Sequence, residues 1–169
     1  MTPHVLVVCT GNICRSPMGE IVLREAATAA GLDVVVHSAG VSDEEQGNPI
    51  DRRARRVLDG AGYPIHDHRA RQVRAGELDR YDLVLAMTSQ HLSALHRRAD
   101  RDGTDPSHLR MWREFDPAAP RSADNSCLRD LDIPDPWYGG HQDFVDTLAV
   151  LEAGVDRIVE HLRELADRS

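Results

Sequence analysis

Residues Val5 to Pro17, Val-Leu-Val-Val-Cys-Thr-Gly-Asn-Ile-Cys-Arg-Ser-Pro, constrain the fold of this chain more than any other stretch. Val5 to Val8 form a short apolar run rich in β-branched residues, the pattern of a buried strand. Ser16 and Pro17 read as the N-cap and first residue of a helix. A strand, a tight loop and a helix in succession aim backbone N–H groups and a helix N-terminus at one point, which makes an anion site. Gly11 and Asn12 suit a curled loop because both tolerate positive φ. Cys9 opens the loop and Arg15 closes it.

The residue types then suggest a chemistry. A helix N-terminus or a neighbouring cation favours the thiolate form of a cysteine, which is the nucleophilic form. A guanidinium is a planar fork that holds two phosphate oxygens at once, and loop N–H groups can take the remaining oxygens. A sulfur nucleophile at the base of an anion cradle, with a fixed cation beside it, points to phosphoryl transfer onto sulfur. A cysteine at a strand end is otherwise a small buried hydrophobe. The spacing of Cys9 and Arg15 across a strand-to-helix turn favours the chemical reading.

Cys9-Thr10-Gly11-Asn12-Ile13-Cys14-Arg15-Ser16 resembles the signature of the low-molecular-weight protein tyrosine phosphatases, and the likeness extends over nearly the whole chain. The resemblance implies a sheet of strand order 2-1-3-4. It implies Cys9 as nucleophile, Arg15 as phosphate ligand and Asp135 as general acid. It further implies that Asn12, Ser16, Ser38 and His68 brace a phosphate loop formed by Thr10, Gly11, Asn12, Ile13, Cys14 and Arg15. Asp135 stands in Asp-Pro-Trp-Tyr-Gly-Gly. An Asp beside Pro is often only a turn former. Displacing a phenol from phosphate, however, needs a proton donor for the leaving oxygen. Ile13, Trp137 and Tyr138 are expected to wall the substrate ring. Where many relatives carry another aromatic residue, this chain reads Ser42-Asp43-Glu44-Glu45-Gln46, an acidic wall that would favour basic flanking residues.

The rest of the pattern agrees with an α/β protein. Met18, Ile21, Val22, Ala26, Ala29 and Ala30 recur at helical spacing, and Gly31 fits the position after a helix. Val34 to Val36 read as a second strand, followed by Ser38-Ala39-Gly40. Strand, helix, strand implies a right-handed parallel crossover, with ligands bound beyond the carboxyl ends of the strands. Asn48-Pro49 reads as the start of a second helix, carrying Ile50, Ala54, Val57, Leu58 and Ala61 and ending at Gly62. Its Arg52, Arg53, Arg55 and Arg56 are either a docking patch or a solvated face, and the acidic total charge favours the latter. Tyr81 to Met87 holds a third strand, Thr88-Ser89 caps a third helix, and Leu109 to Trp112 gives a fourth strand. Asp116 to Pro136 is a long loop of the kind that is often functional. Phe144, Leu148, Leu151, Val155, Ile158, Leu162 and Leu165 form the apolar stripe of a long helix, expected to dock on the sheet. The fold expected is a single three-layer α/β domain over residues 1–169, a four-stranded parallel sheet with helices on both faces.

Composition excludes other classes. The net charge of -8 disfavours non-specific nucleic-acid binding. No apolar run approaches the ~20 residues of a membrane span. Met1 to His4 lacks the apolar core of a signal peptide. Three cysteines do not make a secreted disulfide framework, so a cytoplasmic location is expected. None of the nine histidines falls at metal-ligand spacing with the cysteines, so no metal and no cofactor is expected. The expected partners are phosphotyrosine-containing protein substrates, with no nucleic acid and no membrane. Three other readings stay open. One is a protein-arginine phosphatase, disfavoured by the apolar Ile13 where that class has Thr. Another is a thiol-linked arsenate reductase, to which Cys127 could contribute a relay sulfur. The third is a non-catalytic phosphate-binding or redox-sensing protein. Cys9 and Cys14 share one loop, so peroxide is expected to bridge them.

Overall fold

The computed structural model describes residues 1–121 and 127–168. Four parallel strands, β1 (His4–Cys9), β2 (Val35–Gly40), β3 (Leu83–Ala86) and β4 (Leu109–Met111), form one sheet in the order β2-β1-β3-β4. Four α-helices alternate with them: α1 (Arg15–Ala29), α2 (Arg52–Gly60), α3 (Ser89–Asp102) and α4 (His141–Asp167). This is the expected strand order.

Strand alternation divides the core in two. Val5, Val7, Leu83 and Leu85 face a cluster with α1, α2 and α4. Leu6, Val8, Val84 and Ala86 face the other way, toward Leu92, Leu95 and Ala99 of α3. A sheet covered on both faces needs apolar residues at every strand position, which is why β1 reads as a continuous apolar run. Gly19 lets α1 lie close to the sheet: a Cβ there would sit 2.9 Å from the Met87 methyl and 3.1 Å from a Val7 methyl. The α4 stripe is buried as expected from Phe144 to Leu162, but α4 rests chiefly on α1, α2 and the short turn at Trp112–Phe115 rather than on the strands. The indole of Trp112, fully buried, donates to the Leu151 carbonyl at 3.1 Å.

Several local expectations are corrected. The first helix begins at Arg15, with Cys14 as N-cap and no side-chain cap bond. Ser16 and Pro17 are already helical, because the Ser16 hydroxyl is engaged with Cys9 rather than with the helix end. Asp51, not Asn48, caps α2, its carboxylate accepting from the Arg53 and Ala54 N–H groups; Ile50 precedes the helix, and Ala61 is exposed. Ser38, Ala39 and Gly40 are the last residues of β2 rather than a loop after it. Thr88 caps α3 as expected, its hydroxyl accepting from the His91 N–H.

Candidate functional site

The site grows from the carboxyl end of β1, the central position of the sheet next to the crossover. Cys9 ends the strand, and residues 10–14 curl back so that Arg15 opens α1. The first N–H groups of a helix have no acceptor within it, and those of α1 follow directly on the curl. Asn12 makes the curl possible. It is the only described non-glycine residue with positive φ, at 62°, and its side chain is fully buried. Gly11 does not have positive φ. A Cβ there would lie 3.1 Å from the Glu45 side chain, so the close approach of the acidic segment is what suits glycine. Gly40, which sequence reasoning passed over, is demanded by its neighbour: a Cβ there would collide with the Thr10 carbonyl oxygen.

The hydrogen bonds around Asn12 have one consistent direction. Its amide nitrogen donates to Ser16 Oγ at 2.8 Å and to Ser38 Oγ at 3.0 Å. Ser38 in turn donates to Glu20 Oε2 at 2.5 Å. Having accepted from Asn12, the Ser16 hydroxyl has its own proton free for Cys9 Sγ, 3.0 Å away. Asn12 Oδ1 accepts from the Arg71 N–H at 3.1 Å, and its carbonyl accepts from His68 Nε2 at 2.6 Å. All four residues expected to brace the loop are thus joined, and His68 is buried rather than on the surface. Glu20, the end of this chain of bonds, was missed. Its sequence signal was a carboxylate beside the apolar positions Met18, Ile21 and Val22 of α1, paired with Arg24 one turn on at 2.7 Å.

Arg15 is buried beside the loop. Its Nη1 donates to the Ile133 carbonyl at 2.8 Å, and its Nη2 lies 3.5 Å from Asp135 Oδ2. Asp135 caps a short turn, Pro136–Tyr138, its other oxygen accepting from the Trp137 N–H at 3.1 Å. Cys9, Arg15 and Asp135 all line one cavity of about 220 Å³, with Ile13, Trp137 and Tyr138 on its walls and Glu44 and Glu45 among its lining residues. Trp137 and Tyr138 are 43% and 89% exposed, the largest exposed aromatic surfaces among the described residues. Cys14 also lines the cavity, but burial, and then the charges of Asp51 and Cys9, push its thiol well above the ordinary range. Cys127 is exposed and lines other clefts, not this cavity.

Two further residues were not singled out. His91 Nε2 meets the Thr10 hydroxyl at 2.8 Å. Burial, and then the charge of Arg15, hold this imidazole down at about 4. Its Nδ1 is buried with no hydrogen-bond partner. An orphan lone pair costs less than an orphan N–H, so the proton belongs on Nε2, donated to Thr10. Arg53 corrects the solvated-face reading of α2. Its Nη1 donates to the carbonyls of Trp137 (3.0 Å) and Gly139 (3.2 Å). Its guanidinium lies over the rings of Trp137 and Phe144, at 5.2 and 4.6 Å from their centroids. Arg53 also pairs with Asp51, whose backbone N–H donates to the Ile13 carbonyl. One side chain therefore ties the Asp135 loop to the residue that anchors the Cys9 loop. Arg52, Arg55 and Arg56 are exposed, as expected.

A thiol at the base of an anion cradle, a guanidinium in its wall and a carboxylate at its rim, on a parallel sheet of order 2-1-3-4, mark a protein built to handle phosphate esters. The chain belongs to the low molecular weight phosphotyrosine protein phosphatase family, whose model matches residues 4–167. It is 41% identical to the low molecular weight protein-tyrosine-phosphatase of Streptomyces coelicolor over 166 residues, 97% of this chain and 96% of that one. It is 38% identical to the low molecular weight protein-tyrosine phosphatase A of Mycobacterium tuberculosis over 168 residues, 98% and 95% of the two chains. Its fold is similar to a protein tyrosine phosphatase of Entamoeba histolytica crystallised with Hepes in the active site (TM-score 0.82, 26% identity, 96% and 98% of the chains). It is also similar to Wzb of Vibrio vulnificus in complex with benzylphosphonate (TM-score 0.77, 26% identity, 95% and 99%). No described helix is long and apolar enough to cross a membrane.

Proposed function

We propose that the protein hydrolyses phosphotyrosine in protein substrates through a phosphocysteine intermediate, with Cys9, Arg15 and Asp135 as its reacting groups. The observation that carries this reading is the meeting of a sulfur, a buried guanidinium and a carboxylate in one cavity walled by Ile13, Trp137 and Tyr138. In the first step Cys9 Sγ attacks phosphorus in line with the ester oxygen. The P–O bond breaks, and Asp135 gives its proton to the departing phenolate. Arg15 and the N–H groups of residues 10–15 hold the three non-bridging oxygens where charge is spread. In the second step Asp135, now a carboxylate, takes a proton from water as the water oxygen attacks phosphorus. Sulfur leaves as thiolate, helped by the Ser16 hydroxyl. Asn12, Ser38 and His68 keep the cradle in shape for both steps. Residues 1–169 act as one phosphatase domain, located in the cytoplasm, where thiols stay reduced.

A protein-arginine phosphatase is the second reading. Ile13 favours the ring of tyrosine, because the cavity wall it supplies is apolar. The test is a pair of matched peptides, phosphotyrosine and phosphoarginine, assayed with wild type and Ile13→Thr. Phosphotyrosine hydrolysis dominating in wild type, with the ratio falling in Ile13→Thr, supports the proposal. Faster phosphoarginine hydrolysis by wild type overturns the substrate assignment. Cys9→Ser protein should bind phosphotyrosine proteins without dephosphorylating them.

A further inference from the structure

A second cleft, of about 390 Å³ and sharing no lining residue with the first, opens beneath the loop brace between α1, β2 and residues 66–81. Glu20, His66 and His68 meet at its floor. Each offers one ligand atom within 4.8 Å of the others, and this is the one such group found among the described residues. We propose that Glu20, His66 and His68 form a binding site for a transition-metal dication of the zinc class, and that the ion stiffens the brace of the loop above it.

The donor set is two imidazoles and one carboxylate, a combination that holds zinc with a fourth position left to water. The surrounding bonds already orient the donors. His68 donates through Nε2 to the Asn12 carbonyl, which can only accept, so the neutral ring keeps its lone pair on Nδ1. A ligating histidine commonly gives its other N–H to a backbone carbonyl in this way. Glu20 Oε2 is fixed by the Ser38 hydroxyl, leaving Oε1 directed at His66 Nε2, 3.3 Å away. The rings of His66 and His68 stand nearly perpendicular at 6.4 Å. The open cleft supplies the entry path.

A cation already bridges part of this group. Arg24 Nη2 contacts Glu20 Oε1 at 2.7 Å, and its Nη1 meets His66 Nδ1 at 3.0 Å. The arginine side chain is 37% exposed, so it can swing into solvent while a dication takes over the same two groups. With Arg24 gone, the single proton of the neutral His66 ring can sit on Nδ1, which frees Nε2 for the metal. Three metal–ligand bonds form; Arg24 gives up its bonds to Glu20, His66 and the Val36 carbonyl, His66 Nε2 gives up its contact with Glu20 Oε1, and no proton leaves the site. The exchange makes Arg24 a competitor of the metal. Sequence reasoning set the histidines against the cysteines only, and so missed a carboxylate on another element.

The test uses full-length protein carrying Cys9→Ser and Cys127→Ser, which leaves the buried Cys14 as the one remaining thiol. The probes are Co2+, followed by its visible absorption, and Zn2+, followed by calorimetry and thermal unfolding. One equivalent is expected to bind with tetrahedral-type Co2+ bands and no thiolate charge-transfer band, and to raise Tm. His66→Ala, at a half-buried position, should weaken binding at least about tenfold. Arg24→Met should tighten it. Absence of binding, binding unchanged by His66→Ala, or binding weakened by Arg24→Met would each overturn the proposal. The two substitutions move affinity in opposite directions, so a general loss of structure cannot imitate the expected pair.

Discussion

The Cys9 loop and the Asp135 loop face each other across one cavity, but they are held in different ways. The Cys9 loop is pinned from below, residue by residue. Asn12 alone makes three side-chain hydrogen bonds and accepts a fourth through its carbonyl, and Ser16, Ser38 and Glu20 continue the chain into the core. The Asp135 loop is held at its two ends. Ser89 N–H captures Asp132 at 2.6 Å, and Ile133 N–H bonds to Met87. At the far side Arg53 takes the carbonyls of Trp137 and Gly139. Between these struts Asp135, Trp137 and Tyr138 are exposed. The difference matches the demands of the proposed chemistry. A phosphate cradle must be preorganised, because its donors act on charge that develops in place. A group that protonates the leaving oxygen must admit a protein side chain first, so its loop stays open at the tip.

The largest expected effect falls on the open loop and leaves the fold intact. Asp135→Asn should lower turnover on phenyl phosphates by about 10²–10⁴ while phosphate and vanadate still bind. The loss should shrink for esters with acidic leaving groups, which depart with little protonation. An equal loss on all leaving groups would deny Asp135 the acid role. Because the side chain is partly exposed and its partners are few, the unfolding temperature should barely move.

The opposite profile is expected at Asn12. Asn12→Ala takes one bond each from the Ser16 and Ser38 hydroxyls, which keep Cys9 and Glu20 as partners, and leaves the Arg71 N–H without the Asn12 oxygen; an unpaired buried group costs about 1–3 kcal/mol. Alanine also fits the positive φ poorly. Stability and phosphate affinity should therefore fall together, on every substrate alike, as read by denaturant unfolding and by phosphate inhibition. A variant that lost turnover without losing stability would erase the contrast between the loops.

His91 gives the pinned loop a pH signature. Its pKa is about 4 in the fold, through burial and then Arg15, against roughly 6.5 unfolded. Between those values the unfolded chain binds the extra proton, so stability rises with pH through this window and is lost as pH falls through it. His91→Gln should flatten that limb, by on the order of 2 kcal/mol in total. Unfolding measured in steps from pH 4 to 7 distinguishes this from a uniform loss at all pH values.

The sequence made the pinned loop legible and the struts illegible for a physical reason. A strand, a curl and a helix are written in consecutive residues, so Cys9, Asn12 and Arg15 could be placed from local pattern alone. The strand order followed from the resemblance alone. Gly40, Glu20, His91 and Arg53 act across elements. Gly40 answers to the Thr10 carbonyl, and His91 to the Thr10 hydroxyl, so nothing beside them in sequence announces the role. Arg53 was hidden among three exposed arginines of α2 and is set apart only by what lies opposite it, the carbonyls and rings of the Asp135 loop. The helix starts at Arg15 and Arg52 were displaced for a similar reason. Ser16, which looks like a cap, spends its hydroxyl on Cys9, and Asp51 caps α2 in place of Asn48.

Arg53 allows a strut to be removed without touching the reacting groups. Arg53→Met keeps length and much of the apolar cover over Trp137 and Phe144, but loses both carbonyl bonds and the pair with Asp51. A drop of roughly tenfold in turnover is expected, since each hydrogen bond from a charged group contributes about 1.5–3 kcal/mol and the loop keeps its other anchors at Asp132 and Ile133. The loss should vary with leaving group in the same sense as Asp135→Asn, because what is disturbed is the placement of Asp135. A loss that is equal for all leaving groups would make Arg53 a support for the fold alone.

The smallest effect concerns the wall opposite the aromatic residues. Glu44 and Glu45 line the cavity, Glu44 exposed and Glu45 partly covered, while Glu45 also accepts from Asn48 Nδ2 at 2.6 Å. Exposed charge pairs contribute about 0.2–1 kcal/mol each, so phosphopeptides with Arg or Lys beside the phosphotyrosine should be preferred over acidic ones by only a few-fold in kcat/KM. Glu44→Gln is the cleaner probe, because Glu45 has the bond to Asn48 to lose. The substitution should narrow the preference, and so should raising salt toward 1 M, where the screening length falls to about 3 Å. Turnover on a small phenyl phosphate that lacks charged flanking groups should stay unchanged in Glu44→Gln. A peptide preference that survives both the substitution and the salt would place the discrimination on the Trp137–Tyr138 side instead, and so give the open loop a role in choosing substrates as well as in protonating them.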